Sequence, residues 1–309
     1  MFGATIVGSE IHGRTVREIE MALYAFDGTW NSDKPGSEHD TNVMWFRDAY
    51  TKACFYRAGV GTRFGPFGQA VGGISGAGGH TRVHEALQQL DDNFTAGDEE
   101  IDIVGFSRGA ALALDFANRV NQLPAHPTIR FLGLWDCVPS FGVASIDLDP
   151  SWELDLPDNV AKCYHAMALE ERRHTFHLHR LSARVEDADA EGRLFEVWFR
   201  GVHSDVGGGN NNPALSSIAL NWMLQKAVSC HLPIDAAKIA ANAARMKAGT
   251  PDSKGQWYDL IKNRFRVVRW NDTVHKSVTF IADKHYNNPP AGVLLVDDAG
   301  AQVGKFARA

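Results

Sequence analysis

The stretch Ile101-Asp-Ile-Val-Gly-Phe-Ser-Arg-Gly-Ala-Ala-Leu-Ala-Leu114 admits few folds. An apolar run of strand length, a tight turn and an alanine- and leucine-rich helix former follow one another without a break. An apolar run without alternation is what a strand covered on both faces requires. The turn Gly105-Phe106-Ser107-Arg108-Gly109 is a G-x-S-x-G match. That motif sets a serine on a sharp strand-to-helix corner with its hydroxyl raised above the sheet edge, and the glycines let the strained backbone pass close to its neighbours. Ser107 is therefore a candidate nucleophile. The competing reading is a plain strand-to-helix turn in which the serine only caps the helix.

The same grammar recurs along the chain. Met21-Ala-Leu-Tyr-Ala-Phe26 ends abruptly in Asp27-Gly28-Thr29-Trp30-Asn31, Thr128 to Trp135 stops at Asp136-Cys-Val-Pro139, and Leu194 to Phe199 runs into Arg200-Gly201-Val202-His203-Ser204-Asp205-Val206-Gly207-Gly208-Gly209. Ala53 to Tyr56 is a shorter strand. Between these runs lie amphipathic patterns: Asn42 to Lys52, Thr81 to Phe94 with Val83, Leu87, Leu90 and Phe94 at helical spacing, and Leu215 to Ala227. Strands alternating with helices predict an α/β fold, a mostly parallel central sheet flanked by helices, of the α/β-hydrolase type. A further helix is predicted around Asn159 to Leu169, and Val293 to Val303 reads as a terminal hairpin turning at Asp298-Ala-Gly300. With no repeat, low-complexity tract or linker, residues 1–309 are expected to form a single domain with its core at about 21–290. Two accessory, lid-like insertions are expected at about 60–80 and 235–265. The first is glycine-rich and apolar, Phe64 to Gly79, and holds no phosphate-loop lysine.

Polar residues that end parallel strands collect at one edge of the sheet, where ligands bind in open α/β folds. Serine attacks only when a base takes its proton, and the base needs an acid to hold its tautomer. The chain offers Ser107, Asp136 and His203 in that order, which is the order α/β-hydrolases use. The oxyanion hole is expected from the backbone N–H of Arg108 and from the loop Asp27-Gly28-Thr29, with Gly28 as donor. Asp27 is a supporting residue or a turn former. A rival set, Ser107, Asp205 and His275, places the acid one strand later.

Net charge is −6 with the signs interspersed, which argues against nucleic acid as a partner. Cys54, Cys137, Cys163 and Cys230 form no metal or disulfide spacing, and Cys54 and Cys137, in or beside apolar runs, read as buried thiols. His174, His177 and His179 are explained as well by polar surface as by ligation, so no metal and no cofactor are expected. No run of about 18 apolar residues marks a membrane span. The opening residues carry no basic segment followed by an apolar stretch, so no signal peptide is expected and export, if any, uses another route.

Tyr24-Ala-Phe-Asp-Gly-Thr-Trp-Asn31, Tyr56-Arg-Ala-Gly-Val-Gly-Thr62, Gly105-Phe-Ser-Arg-Gly-Ala110, Leu134-Trp-Asp-Cys-Val138, Glu170-Glu-Arg-Arg173 and Gly201-Val-His-Ser-Asp-Val-Gly-Gly-Gly209 occur in this order. Together with Leu215 to Met223 and Val274 to Ser277, they resemble the α/β-hydrolase domain of unknown function family 2235. That family includes the first family of type VI secretion lipase effectors. The resemblance implies Ser107, Asp136 and His203 as the catalytic residues and a phospholipase A acting on glycerophospholipid membranes. It further implies a secretion spike or tube component and an immunity protein as partners. The implied location is the bacterial cytoplasm before export, then the periplasm or membrane of a target cell. Two other readings stand beside it: a cytosolic esterase or thioesterase for small soluble substrates, and a non-catalytic lipid- or partner-binding α/β module.

Overall fold

A computed structural model of the chain describes residues 22–28, 40–58, 76–139, 152–173, 176–183, 192–253, 264–282 and 284–307. Among these residues nine strands form one sheet: β1 (Ala22–Phe26), β2 (Cys54–Arg57), β3 (Ile101–Phe106), β4 (Ile129–Trp135), β5 (Cys163–Ala168), β6 (Leu194–Phe199), β7 (Thr273–His275), β8 (Leu294–Val296) and β9 (Gln302–Lys305). Their order across the sheet is β2-β1-β3-β4-β5-β6-β7-β8-β9. Every neighbouring pair from β2 to β8 is parallel, and only β9 returns antiparallel, on β8. The carboxyl ends of β1 to β8 therefore share one edge. The strand order reverses between β1 and β3, and such a reversal opens a crevice at that edge because the connections leave to opposite sides.

Burial on both faces explains the unbroken apolar runs. Tyr24 and Phe26 of β1 pack with Val83, Leu90 and Phe116, while Leu23 and Ala25 pack with Val43, Phe46 and Trp222 on the other face. The first layer contains α2 (Gly76–Thr95) and α3 (Arg108–Asn121); the second contains α1 (Asn42–Ala49) and α5 (Pro213–Ser229). Each large apolar side chain taken fully out of water contributes roughly 1.5–3 kcal/mol. Thr41 starts α1 by accepting the Met44 N–H on its hydroxyl, and proline in the first turn starts α5. A third apolar group, including Met167, Trp198, Val274 and Phe306, closes the β7–β9 end. The terminal hairpin is present as read.

Several expectations change. The helix expected around Asn159 to Leu169 is strand β5, every residue of which is buried. The alanines and methionine of Cys163-Tyr-His-Ala-Met-Ala168 favour helix locally, but pairing with β4 and β6 on both sides decides the outcome. The glycine-rich loop expected around His203 contains a short helix, α4 (His203–Gly207). Of the lid-like insertions, residues 59–75 and 254–263 lie outside the described residues. The stretch from Gly76 already belongs to α2, and α6 (Ala236–Arg245) is fastened to the second layer. Asn242 donates to the Ser217 carbonyl at 2.9 Å, and the Arg245 guanidinium lies 4.0 Å from the centre of the Trp45 ring. Among the described residues no helix is long and apolar enough to cross a membrane.

Helix α3 lies so close to β1 that a Cβ on Gly109 would collide with the Phe26 carbonyl oxygen and come within 2.6 Å of that of Asp27. Gly109→Ala is expected to lower the free energy of unfolding by about 1–3 kcal/mol in urea titration, as overpacked sites do. An unchanged midpoint would mean that this contact is not what sets the helix position.

Candidate active site

Ser107 occupies the corner between β3 and α3 with φ 57° and ψ −124°, a conformation that is strained for any residue but glycine. Its backbone is pinned on both sides: its N–H donates to the Trp135 carbonyl at 3.0 Å, and its carbonyl accepts from Ala110 at 3.1 Å and Val138 at 3.3 Å. The hydroxyl does not cap α3. The first N–H groups of that helix, beginning at Arg108, are thus left without the usual side-chain acceptor, at the helix's positive end.

Asp136 ends β4, also at a positive φ of 41°, and is completely buried. Its Oδ2 accepts from His203 Nδ1 at 2.6 Å. The remaining lone pairs take the Ala168 N–H at 2.8 Å and two guanidinium bonds from Arg266, at 2.6 and 3.1 Å. Burial by itself would raise the carboxyl pKa, but the Arg266 charge and the His203 contact outweigh it. They hold Asp136 far below the ordinary carboxylate range. Arg266 is fixed in turn by the carbonyls of Ala168 and Phe176, each at 2.9 Å. Nothing in the sequence pointed to Arg266. It lies in an undistinguished stretch 130 residues from its partner, and no local spacing announces such a bond.

His203 lies between two aromatic rings. Phe106, the residue before Ser107, is 4.6 Å away between ring centres, and Phe176 meets it edge-on at 5.0 Å. The structure thereby brings His203, Asp136 and the turn bearing Ser107 together. Donation of Nδ1–H to Asp136 fixes the tautomer and leaves Nε2 as an acceptor, which makes no hydrogen bond among the described residues. Burial pushes the imidazole below its ordinary pKa, and Asp136 opposes this only in part, so the ring is held neutral. Its neighbour Gly207 could carry no side chain, because a Cβ there would fall inside the Phe106 ring. That close fit sets α4 against the serine turn.

Two consecutive carboxylates after β5 hold the His203 segment from below. Glu170 accepts from the Gly201 N–H and from Arg200, both at 2.5 Å; Glu171 accepts from the His203 N–H at 3.2 Å and from Arg173. Burial raises the Glu170 pKa to about 7 despite Arg200, whereas Arg173 keeps that of Glu171 below its ordinary value against the same burial effect. Behind Asp136, the Cys137 N–H donates to His165 Nε2 at 3.1 Å, which places the proton of His165 on Nδ1, toward Glu196 at 3.1 Å. None of these supports except the Glu-Glu-Arg-Arg block stood out in the sequence.

The remaining candidates lie elsewhere. Asp205 does not reach His203. It binds the N–H groups of Val202 and Ser253, at 3.0 and 2.8 Å, and the amides of Asn210 and Asn212, so it ties loops together. His275 stacks on Phe199, bonds to Ser277 and faces the Asp298 carboxylate at 3.6 Å rather than Asp205. Asp27 accepts from Thr41 Oγ1 at 2.8 Å and Tyr56 OH at 2.7 Å, and it also takes the N–H of Gly28 at 2.6 Å. The Gly28 donor is thus turned toward Asp27 in this structure, and Thr29 lies outside the described residues. His179 bonds to the Leu154 carbonyl at 2.9 Å.

The family model described as "T6SS, Phospholipase effector Tle1-like, catalytic domain" matches residues 22–123 and 114–226. Among solved structures, an uncharacterized protein from Pseudomonas aeruginosa shares the fold with a TM-score of 0.58 and 23% identity, over 75% of this chain and 51% of its own. A second, described as the Tle1 effector bound to the VgrG spike from the Type 6 secretion system, gives a TM-score of 0.44 and 22% identity over 66% of this chain and 55% of its own. The chain thus spans about half the length of the solved chains it matches. No curated protein matches it.

The electrostatics give a direct expectation. Followed by NMR, the His203 ring should titrate below the ordinary value of 6.5. Arg266→Gln should move that titration upward, because the Asp136 charge then acts on the imidazole without a competing cation. A midpoint unchanged by the substitution would show that Arg266 does not tune the pair.

Proposed function

The chain belongs to the family of Tle1-like phospholipase effector catalytic domains of type VI secretion, and on that premise we propose that it is a serine hydrolase of glycerophospholipid carboxylic esters, a phospholipase A. The observation that carries this reading is the 2.6 Å bond from His203 to the buried Asp136, beside the strained turn that presents Ser107. In this mechanism Ser107 Oγ attacks the ester carbonyl carbon while His203 Nε2 takes its proton, and Asp136 stabilises the imidazolium that forms. The developing oxyanion is met by the Arg108 N–H at the positive end of α3. A second donor comes from the loop after β1, where Gly28 serves once its N–H is released from Asp27. The bond to glycerol then breaks, His203 returns the proton to the leaving alkoxide, and water hydrolyses the acyl-enzyme by the reverse sequence.

The wider role follows from the family. We read the protein as an antibacterial effector, carried by a spike component of the secretion machine to the membrane of a target cell and restrained in the producing cell by an immunity protein. A small-substrate esterase would share the same chemistry and differ in what it accepts.

Wild-type protein incubated with phosphatidylethanolamine and phosphatidylglycerol vesicles should release fatty acid and lysophospholipid. Ser107→Ala should reduce kcat by roughly 10⁴–10⁶; release equal to wild type would end the proposal, and wild-type cleavage of short p-nitrophenyl esters alone would favour the small-substrate enzyme. Asp136→Asn should cost on the order of 10⁴ in kcat, because the imidazole loses the partner that sets its tautomer. Asp205→Asn should lower the melting temperature with a far smaller loss of kcat. The opposite ranking would make Asp205 the acid.

A further inference from the structure

Among the described residues, the cation that follows Ser107 is left without a partner. Arg108 is the first residue of α3, directly after Ser107, and its side chain is part-buried. Among the described residues its guanidinium makes no hydrogen bond, ion pair or ring contact. Burial acts on it without an opposing carboxylate and lowers its pKa to about 10. The neighbouring arginines are committed: Arg266 to Asp136, Arg173 to Glu171 and Arg200 to Glu170. A guanidinium drawn partly out of water and without a protein acceptor among the described residues gains most when an anion arrives.

The backbone at the same point adds to this. Because the Ser107 hydroxyl does not cap α3, the helix's positive end is also open there. An ester carbonyl at Ser107 needs only backbone donors for the charge it develops. A cationic side chain on the residue next to the nucleophile fits a second, permanent negative charge on the same substrate, a few bonds from the scissile ester. Phosphate suits it best, since the five donors of arginine form a fork that two phosphate oxygens match. In a glycerophospholipid the phosphodiester stands on the glycerol carbon next to the sn-2 ester.

We propose that Arg108 determines substrate specificity by binding the phosphodiester of the lipid whose ester lies at Ser107, selecting phospholipids over neutral glycerides. The proposal rests on the phospholipase reading above and names the group that reading leaves unspecified. Monomeric dihexanoyl phosphatidylcholine and dihexanoyl glycerol carry the same acyl esters with and without phosphate. The ratio of their kcat/KM values should fall about 10- to 100-fold in Arg108→Gln, the worth of one or two charge-assisted hydrogen bonds, and recover in part in Arg108→Lys. An unchanged ratio overturns the proposal. Should both variants lose all activity, wild-type protein decides: sn-glycerol 3-phosphate, but not glycerol, should compete with p-nitrophenyl butyrate hydrolysis, and absence of competition overturns the assignment. Wild-type protein that cleaves the diglyceride and leaves phosphatidylcholine untouched would instead end the phospholipase reading, with the glycerol 3-phosphate competition still testing Arg108 itself.

Discussion

The carboxylate of Asp136 is the charge around which this edge of the sheet is built. It has no exposure to water, and an uncompensated ion in that position would cost several kcal/mol. Four hydrogen bonds satisfy it, one from the backbone of β5, two from Arg266 and one from His203. The two side-chain partners do different jobs. Arg266 keeps the carboxylate ionised and immobile, while the bond to His203 fixes which imidazole nitrogen carries the proton. Because burial holds the ring neutral, its unbonded nitrogen is available as a base near neutral pH.

Topology makes that charge usable. Parallel strands deliver Asp27, Ser107, Asp136, the Glu170–Glu171 pair and His203 to one edge, and the reversal of strand order between β1 and β3 opens the edge where Ser107 stands. The strain at Ser107 is sustained by the surrounding fold: three backbone hydrogen bonds pin the residue, and Gly109 lets α3 sit almost on the end of β1. Ser107 is largely buried at this corner, and its hydroxyl does not cap the helix that follows it. The same uncapped end carries Arg108, whose guanidinium has no partner among the described residues.

How much of this could be read from the chain depends on the range over which each feature is determined. Ser107, Asp136 and His203 were legible because each interrupts or closely follows a buried apolar run, and the terminal hairpin was legible because Asp298-Ala-Gly300 carries its own turn signal. Strand β5 was not, since a central strand buried on both faces has no two-residue alternation, and Ala166, Met167 and Ala168 locally favour helix. The rivalry between Asp136 with His203 and Asp205 with His275 could not be resolved by order alone; it turns on which carboxylate meets an imidazole, and His203 meets Asp136 across 67 residues. Arg266 was invisible for the same reason at longer range. His165, which looks like one more polar residue, matters only because β4 and β6 place the Cys137 amide and Glu196 on its two ring nitrogens.

Activation of a nucleophilic Ser107 by a neutral His203 is open to direct test. The most direct measurement is reaction of the intact protein with a fluorophosphonate, with the adduct located by peptide mass spectrometry and its rate followed against pH. A single adduct is expected on Ser107, forming at a rate that rises with pH through one titration below 6.5 and then levels. An adduct on another residue, no adduct at all, or a rate that rises only above pH 8 as an unassisted hydroxyl would require, contradicts it.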